Sequence, residues 1–412
     1  MKNLDANKKV LRFPDNFYWG TATSSHQIEG NNKNNDWWRA EQKGELPHKS
    51  GLACDSYNRY EEDFDLAKEM HNNAHRLSIE WSRIEPREGE FDKKEIEHYR
   101  KVIRALKERG LEPFVTLHHF TNPLWFADKG GWENKKSPQY FARYAQYVVK
   151  NIPEVKYWIT VNEPNIVING GYGWGDWPPF KGGRVWNMIQ PLKNMASAHN
   201  LAYKKIYTAN SSCQVGIAHS VNYFHPMHEQ GPLYLVDSLR VIRDRFFKNY
   251  YFLNKIKKQQ DFIGLNYYNH RRTHFWYGKR NENKEVSDFG WEIYPEGIYH
   301  VAKEIWQKYK KPIYIFENGI ADADDDQRPK FIKDHLGWLY KAIEEGADVR
   351  GYFYWSLLDN FEWAEGFTMR FGLVEVDFST QGGSASGGKI LKRTPRDSYY
   401  AYKEICRNNA II

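Results

Sequence analysis

The feature that most limits the fold is a regular alternation of short apolar runs with longer amphipathic stretches. The runs are "FYWGTAT" (17–23), "HRLSIEW" (75–81), "LEPFVTLHHF" (111–120), "VKYWITVNE" (155–163), "QVGIAHSV" (214–221), "DFIGLNYY" (261–268), "KPIYIFENG" (311–319) and "VRGYFYWSL" (349–357). Each is near-continuously apolar, as expected for parallel strands covered on both faces. Between them, 93–110 and 328–346 repeat apolar residues at three and four and end on Gly110 and Gly346, which suits a helix C-terminus. Eight strand–helix units predict an α/β fold, a single (β/α)8 TIM barrel over residues 1–412. That length is normal for such a barrel and allows a large core. A Gly/Ser run, "QGGSASGG" (381–388), interrupts the last loop. It resembles an engineered linker as much as a natural loop and is expected to be mobile.

Composition excludes several classes. Charged residues are 27% and aromatic residues 16% of the chain, and no apolar run nears the ~20 residues of a membrane-spanning helix. The net charge is +7, but Lys and Arg are spread along the chain between acidic residues. No basic cluster recurs with the aromatics, which argues against a nucleic-acid partner. Cys54, Cys213 and Cys406 lack CxxC spacing, and no HExxH pattern occurs, so neither a disulfide framework nor a metal site is expected. The thiols fit a reducing compartment. The N-terminal stretch lacks an apolar signal segment, so a cytoplasmic location is expected. Nothing in the sequence sets the oligomeric state.

In barrels of this kind the chemistry sits at the C-terminal strand ends. Those ends carry Gln27 and Glu29 after the first run, Arg76 in the second, His118 and His119 in the third, and Asn162 and Glu163 in the fourth. The sixth carries Asn266 and Tyr268, the seventh Glu317 and Asn318, and the eighth Trp355 followed by Glu362 and Trp363. A carboxylate closing a buried strand, as Glu163 does, is costly unless it has a partner or a task. Strands four and seven face each other across the mouth, so Glu163 and Glu317 can converge. Two converging carboxylates are what glycosidic bond cleavage requires. Burial and its partner's charge can keep Glu163 protonated, and Arg76 can keep Glu317 ionised. Gln, His, Asn and Glu side chains read hydroxyl groups, and Trp355 and Trp363 offer flat apolar faces to a sugar ring. Either Glu alone could be only a structural ion-pair partner, and His119, Tyr268 and the Trp residues could each be core. Their shared location favours a site.

These motifs, "FPDNFYWGTATSSHQIEG", "HRLSIEWSRIEP", "TVNEPN", "GLNYY", "YIFENG" and "WSLLDNFEWAEGF", occur in an order that resembles glycoside hydrolase family 1, the β-glucosidase/β-galactosidase family. The likeness runs nearly end to end. It implies a retaining β-glycosidase with Glu163 as acid/base and Glu317 as nucleophile, flanked by Arg76, Tyr268 and Asn266. It also implies a sugar site of Gln27, His119, Asn162, Glu362 and Trp363. Trp355 would wall the sugar from the leaving group, and Trp291 would lie on the leaving-group side. No cofactor or metal is implied, and the partner is a small β-glycoside or oligosaccharide.

Some positions depart from the family pattern. His118 is the poorer match of the two histidines, Phe120 stands where Trp usually follows, His75 where Tyr usually precedes Arg76, and Phe316 where Thr usually precedes Glu317. Compact segments after strands five and seven could open the leaving-group side. A 6-phospho-β-glycosidase would need a Ser/Lys/Tyr phosphate site after strand eight, where this chain has Glu362. A transglycosylase would use the same residues as a hydrolase, and a binding-only barrel would be expected to have lost one Glu. Retention requires the carboxyl groups to be about 5–5.5 Å apart.

Overall fold

The computed structural model describes residues 10–380 and 390–412. The Gly/Ser run at 381–388 lies outside the described residues. Eight strands form the barrel: β1 (Tyr18–Ala22), β2 (Ala74–Ser78), β3 (Glu112–His118), β4 (Tyr157–Asn162), β5 (Gln214–Pro226), β6 (Phe262–His274), β7 (Ile313–Asn318) and β8 (Val349–Trp355). Each pairs in parallel with the next. β8 returns to β1, with Trp355 opposite Ala22, and closes the ring. All eight expected runs contain a strand. β5 and β6 outrun expectation, because their pairing continues to His225 opposite Arg272 and Pro226 opposite Thr273.

The main helices alternate with the strands: α1 (Ser56–Glu69), α2 (Lys93–Glu108), α3 (Ser137–Asn151), α4 (Trp186–Ala209), α5 (Gly231–Arg245), α6 (Glu296–Tyr309), α7 (Arg328–Glu344) and α8 (Asp397–Asn408). α2 shows why. Asp92 caps its start by accepting from the Lys94 amide at 2.7 Å. Ile96, Tyr99, Val102, Ile103 and Leu106 bury one face. Gly110 then adopts φ +71°, where a Cβ would be strained. Near the chain ends, Leu11–Arg12 pairs antiparallel with Ala410–Ile411. Among the described residues no helix is long and apolar enough to cross a membrane.

The barrel interior is unusually aromatic. Phe114 stacks on Tyr157 with ring centres 4.2 Å apart, and Phe262, Tyr314, Phe316 and Phe353 fill the rest of the same buried cluster. Rings of this size fit because strand glycines make way. A Cβ on Gly264 would sit 1.9 Å from the Phe316 ring, and one on Gly216 would sit 2.4 Å from the Phe262 ring. Phe316 therefore occupies space that Gly264 leaves, directly beneath Glu317 in the chain. The polar residues begin where this aromatic packing stops. Gly264→Ala is expected to destabilise the fold by about 1–3 kcal/mol through overpacking. Gly264→Ala with Phe316→Leu should recover part of the melting temperature lost. An unchanged melting temperature in the single variant would contradict this packing.

Candidate active site

The end of β4 builds half of the site. Glu163 leaves the strand at φ +44° and ψ +58°, a left-handed conformation that non-glycine residues rarely adopt and that costs of order 1–3 kcal/mol. Its amide donates to the Ala218 carbonyl on β5 at 2.8 Å, and Pro164 then opens a short helix, Pro164–Ile168. The turn brings the carboxyl to the barrel mouth, where the Asn266 amide donates to Glu163 Oε1 at 2.9 Å.

Glu317, near the end of β7, is held at both oxygens. Arg76 Nη1 donates to Oε1 at 2.5 Å, and Tyr268 Oη donates to Oε2 at 2.8 Å. Arg76 is wholly buried, and its guanidinium also lies over the Phe316 ring at 5.3 Å. Its second arm, Nη2, donates to Asn162 Oδ1 at 2.7 Å, and Asn266 Nδ2 donates to the same oxygen at 3.2 Å. One hydrogen-bond network therefore joins Glu163, Asn266, Asn162, Arg76 and Glu317.

That network sets a tautomer. Asn162 Oδ1 accepts twice, so its Nδ2 must face His119 Nε2, 3.1 Å away. His119 Nε2 then accepts, which leaves the ring proton on Nδ1, a buried atom with no hydrogen-bond partner among the described residues. Burial and the Arg76 charge push His119 well below its usual pKa, so the ring stays neutral.

The two carboxyl environments differ sharply. Burial, then the charge of Glu317, pushes Glu163 up to about 8, against the opposing effects of the Asn266 hydrogen bond and Arg76. Burial and the Glu317 and Glu163 charges push the Tyr268 phenol well above its usual range, so it remains a donor. Glu362 is also pushed up to about 8 by burial and by Glu317. Sequence reasoning expected Glu163 to be protonated and did not foresee the same for Glu362.

The loop after β8 supplies the other wall. Gln27 Nε2 donates to Glu362 Oε2 at 3.1 Å and to Asn360 Oδ1 at 2.9 Å, while Ser24 Oγ donates to Gln27 Oε1 at 2.7 Å. The His119 ring lies near-parallel to both Trp355 and Trp363, at 6.1 and 6.0 Å. Trp291 stands edge-on to Tyr268 at 5.6 Å and lines a cavity of about 220 Å³ with Asn269, Arg271 and Glu292. Every residue expected at the site thus lies in or against one network.

Asn360 and Ser24, which orient Gln27, were not foreseen; both sit inside the quoted motifs, but their contact spans more than 300 residues in one case. Three strand-end residues lie elsewhere. His118 turns away to Asn122 at 3.1 Å, Glu29 pairs with Arg83 at 3.0 Å, and Asn318 donates to the Tyr267 carbonyl at 2.7 Å and accepts from the Tyr352 hydroxyl at 2.8 Å. Among the described residues two groups could in principle hold a metal ion, His228 with Asp237 and His274, and Asp322 with Asp324 and Asp326. In the first, His274 Nδ1 already accepts from the Trp276 and Tyr277 amides, and Asp237 accepts from His228 and the Phe275 amide. In the second, Asp322 caps α7 by accepting from the Gln327 and Arg328 amides. Neither group includes a residue of the network around Glu163 and Glu317.

Comparison with known proteins agrees with this geometry. The model of glycosyl hydrolase family 1 matches residues 9–254 and 239–411. Beta-glucosidase A of Thermotoga maritima is 35% identical over 456 aligned positions, covering 98% of this chain and 99% of that protein. A 6-phospho-beta-galactosidase of Staphylococcus epidermidis is 31% identical, with 97% and 99% covered. Among solved structures, a beta-glycosidase from Pyrococcus horikoshii superposes with a TM-score of 0.90 at 38% identity, covering 98% of this chain and 97% of that one. Beta-glucosidase from Thermotoga maritima in complex with glucoimidazole gives 0.89 at 33%, covering 98% and 100%. The chain belongs to glycosyl hydrolase family 1 and is a glycosidic hydrolase.

Proposed function

We propose that the chain is one catalytic barrel that hydrolyses terminal β-D-glucosides, and β-galactosides and β-fucosides as well, with retention of configuration. The observation that carries this reading is the contrast between the two carboxyl groups. Glu163 is pushed up to about 8, while Glu317 is ion-paired to a buried guanidinium. One is suited to give a proton and the other to attack.

In the first step a Glu317 oxygen bonds to the anomeric carbon. The bond to the leaving oxygen breaks, and that oxygen takes the proton of Glu163. Forming the ester consumes the Glu317 charge, which is one of the causes holding Glu163 high. The Glu163 pKa therefore falls, so the group stays ionised after giving up its proton and can serve as the base of the second step. It takes a proton from water, whose oxygen displaces Glu317 and releases the sugar in its original configuration. The Glu317 charge acts directly on Glu163, which supports two carboxyls close together, as the separation of about 5–5.5 Å needed for retention requires.

His119 Nδ1–H, Gln27, Asn162 and Glu362 would read the sugar hydroxyls. Trp355 and Trp363 would cover its apolar face, and Trp291 would meet the leaving group. The substrate is a small β-glycoside or oligosaccharide. Three buried, free thiols support a reducing compartment such as the cytoplasm.

A 6-phospho sugar fits less well. Repulsion by Glu362 applies only to its ionised form, since that group is pushed up to about 8. The stronger argument is that Arg370 is the single basic residue of the loop at 359–372, and it is engaged by Asp359 and the Val376 carbonyl.

Release of nitrophenol from its β-glucoside, β-galactoside and β-fucoside tests the reading. The parent should turn over, and Glu317→Ala should lose several orders of magnitude. Folded parent protein that cleaves none of them would sink the hydrolase assignment to β-glucosides. NMR of the first-formed sugar should show the β anomer, whereas an initial α anomer would mean inversion. Glu163→Ala should lose on the order of 10²–10⁴-fold with poor leaving groups.

The acid must be protonated to act, so kcat/KM should fall as pH rises through about 8. Glu163→Gln should remove that alkaline limb. A limb that survives in Glu163→Gln and disappears in Glu362→Gln would assign it to Glu362.

A further inference from the structure

The surface of this barrel is not uniform. Eighteen large apolar side chains are exposed among the described residues, and ten of them fall between Met227 and Lys284. The same segment carries twelve Lys and Arg against five Asp and Glu, a net +7, equal to the net charge of the whole chain. The even spread of basic residues expected from the sequence therefore hides a balance. Elsewhere acids and bases cancel; within the segment Lys255, Lys257, Lys258 and Asp261 precede β6 and lie at the end of the barrel away from its mouth, and the remaining nine basic residues still exceed four acidic ones.

Helix α5 concentrates the effect. Leu235, Leu239, Ile242 and Phe246 recur at four, three and four residues and so share one face. They are 67%, 64%, 64% and 42% exposed. The inner anchor of the helix is a carboxylate instead. Buried Asp237 accepts from His228 Nδ1 and the Phe275 amide, both at 2.8 Å. The helix thus buries Val241 and the Asp237 carboxylate and turns its larger apolar side chains to solvent. Burial in the monomer leaves that outer apolar stripe uncovered.

Its neighbours extend the pattern. The Phe275 contact brings the turn after β6 beside the helix, and that turn exposes Trp276 and Tyr277 at 70% and 67%. At the C-terminal side, Lys248 lies 5.7 Å over the exposed Trp174 ring. Arg271 has no carboxylate partner among the described residues, and Lys248 meets Asp244 only as a nearby charge. The surface also belongs to the mouth side of the barrel, since it is carried by the extensions of β5 and β6 beyond the ring.

We propose that this face docks on an anionic lipid surface, with the leucine stripe of α5 and the Trp276–Tyr277 turn entering the headgroup region and the surrounding lysines and arginines meeting lipid phosphates. The combination of an apolar stripe, interfacial aromatics and excess positive charge is that of an interfacial helix. The charge selects the occupant. A second copy of the chain would bring another +7 against the first, whereas an anionic bilayer offers both the apolar depth and the countercharge. The chain would lie on the membrane without spanning it, with its mouth turned toward the lipid.

Flotation of the full chain with vesicles tests this. It should bind phosphatidylcholine vesicles containing phosphatidylglycerol at least about tenfold more than phosphatidylcholine alone, and lose binding as salt rises from about 0.1 to 1 M. Leu239→Glu with Ile242→Glu should abolish flotation while leaving the melting temperature and glycosidase activity unchanged, since neither residue touches the site. No flotation with anionic vesicles, or equal flotation by the double variant, would overturn the proposal. So would a parent dimer in solution that the double variant converts to monomer, which would give the face to a second copy.

Discussion

The site depends on one buried cation. Arg76 is fully enclosed, and its guanidinium reaches both Glu317 and Asn162. An unpaired buried guanidinium would be strongly unfavourable, and so would an unpaired buried Glu317. Together they cancel charge, and the planar fork fixes two acceptors at once. Asn162 is thereby oriented, and through it His119 receives its tautomer and Asn266 its position over Glu163. Removing the cation would leave Glu317 buried without a countercharge and would release Asn162 to turn. The strand geometry explains why the cation can sit there. Arg76 projects from β2 above the aromatic interior, in contact with the ring of Phe316.

Glu163 receives no such partner among the described residues, and the proposed chemistry rests on this asymmetry. Its carboxyl meets an amide donor and a nearby negative charge in a buried setting, so the neutral form is favoured. The left-handed backbone at Glu163 places the group there at a conformational cost. Strain of this kind persists where the surrounding structure over-determines it, and here the Ala218 carbonyl and Pro164 fix the residues on either side of the turn. Glu362 shares the raised pKa because it too is buried within reach of the Glu317 charge.

Much of this was legible in the sequence because parallel barrel strands are buried on both faces and so read as apolar runs. The positions of Glu163, Glu317, Arg76, Asn266 and Tyr268 followed from where those runs stop. The wiring did not follow. Which side-chain atom of Asn162 faces Arg76, and that Asn360 and Ser24 hold Gln27, depend on contacts between elements that the sequence does not place together. The length of β5 and β6 was also hidden, since beyond the ring their residues become polar, as at Asn222 and His225, and the apolar run ends before the pairing does. The outward apolar stripe of α5 was missed for the opposite reason. Its 3.6-residue periodicity shows that it has an apolar face and does not say which way that face points.

In the proposed reaction the Arg76-paired Glu317 attacks the sugar while the neutral Glu163 protonates the leaving group. Incubation with an activated 2-deoxy-2-fluoro-β-glucoside, followed by intact mass measurement and peptide mapping, would trap the covalent step. A mass increase of one fluoroglucosyl group is expected, located on the peptide that carries Glu317. An adduct on a different carboxylate, or turnover of ordinary β-glucosides without any adduct under these conditions, would contradict it.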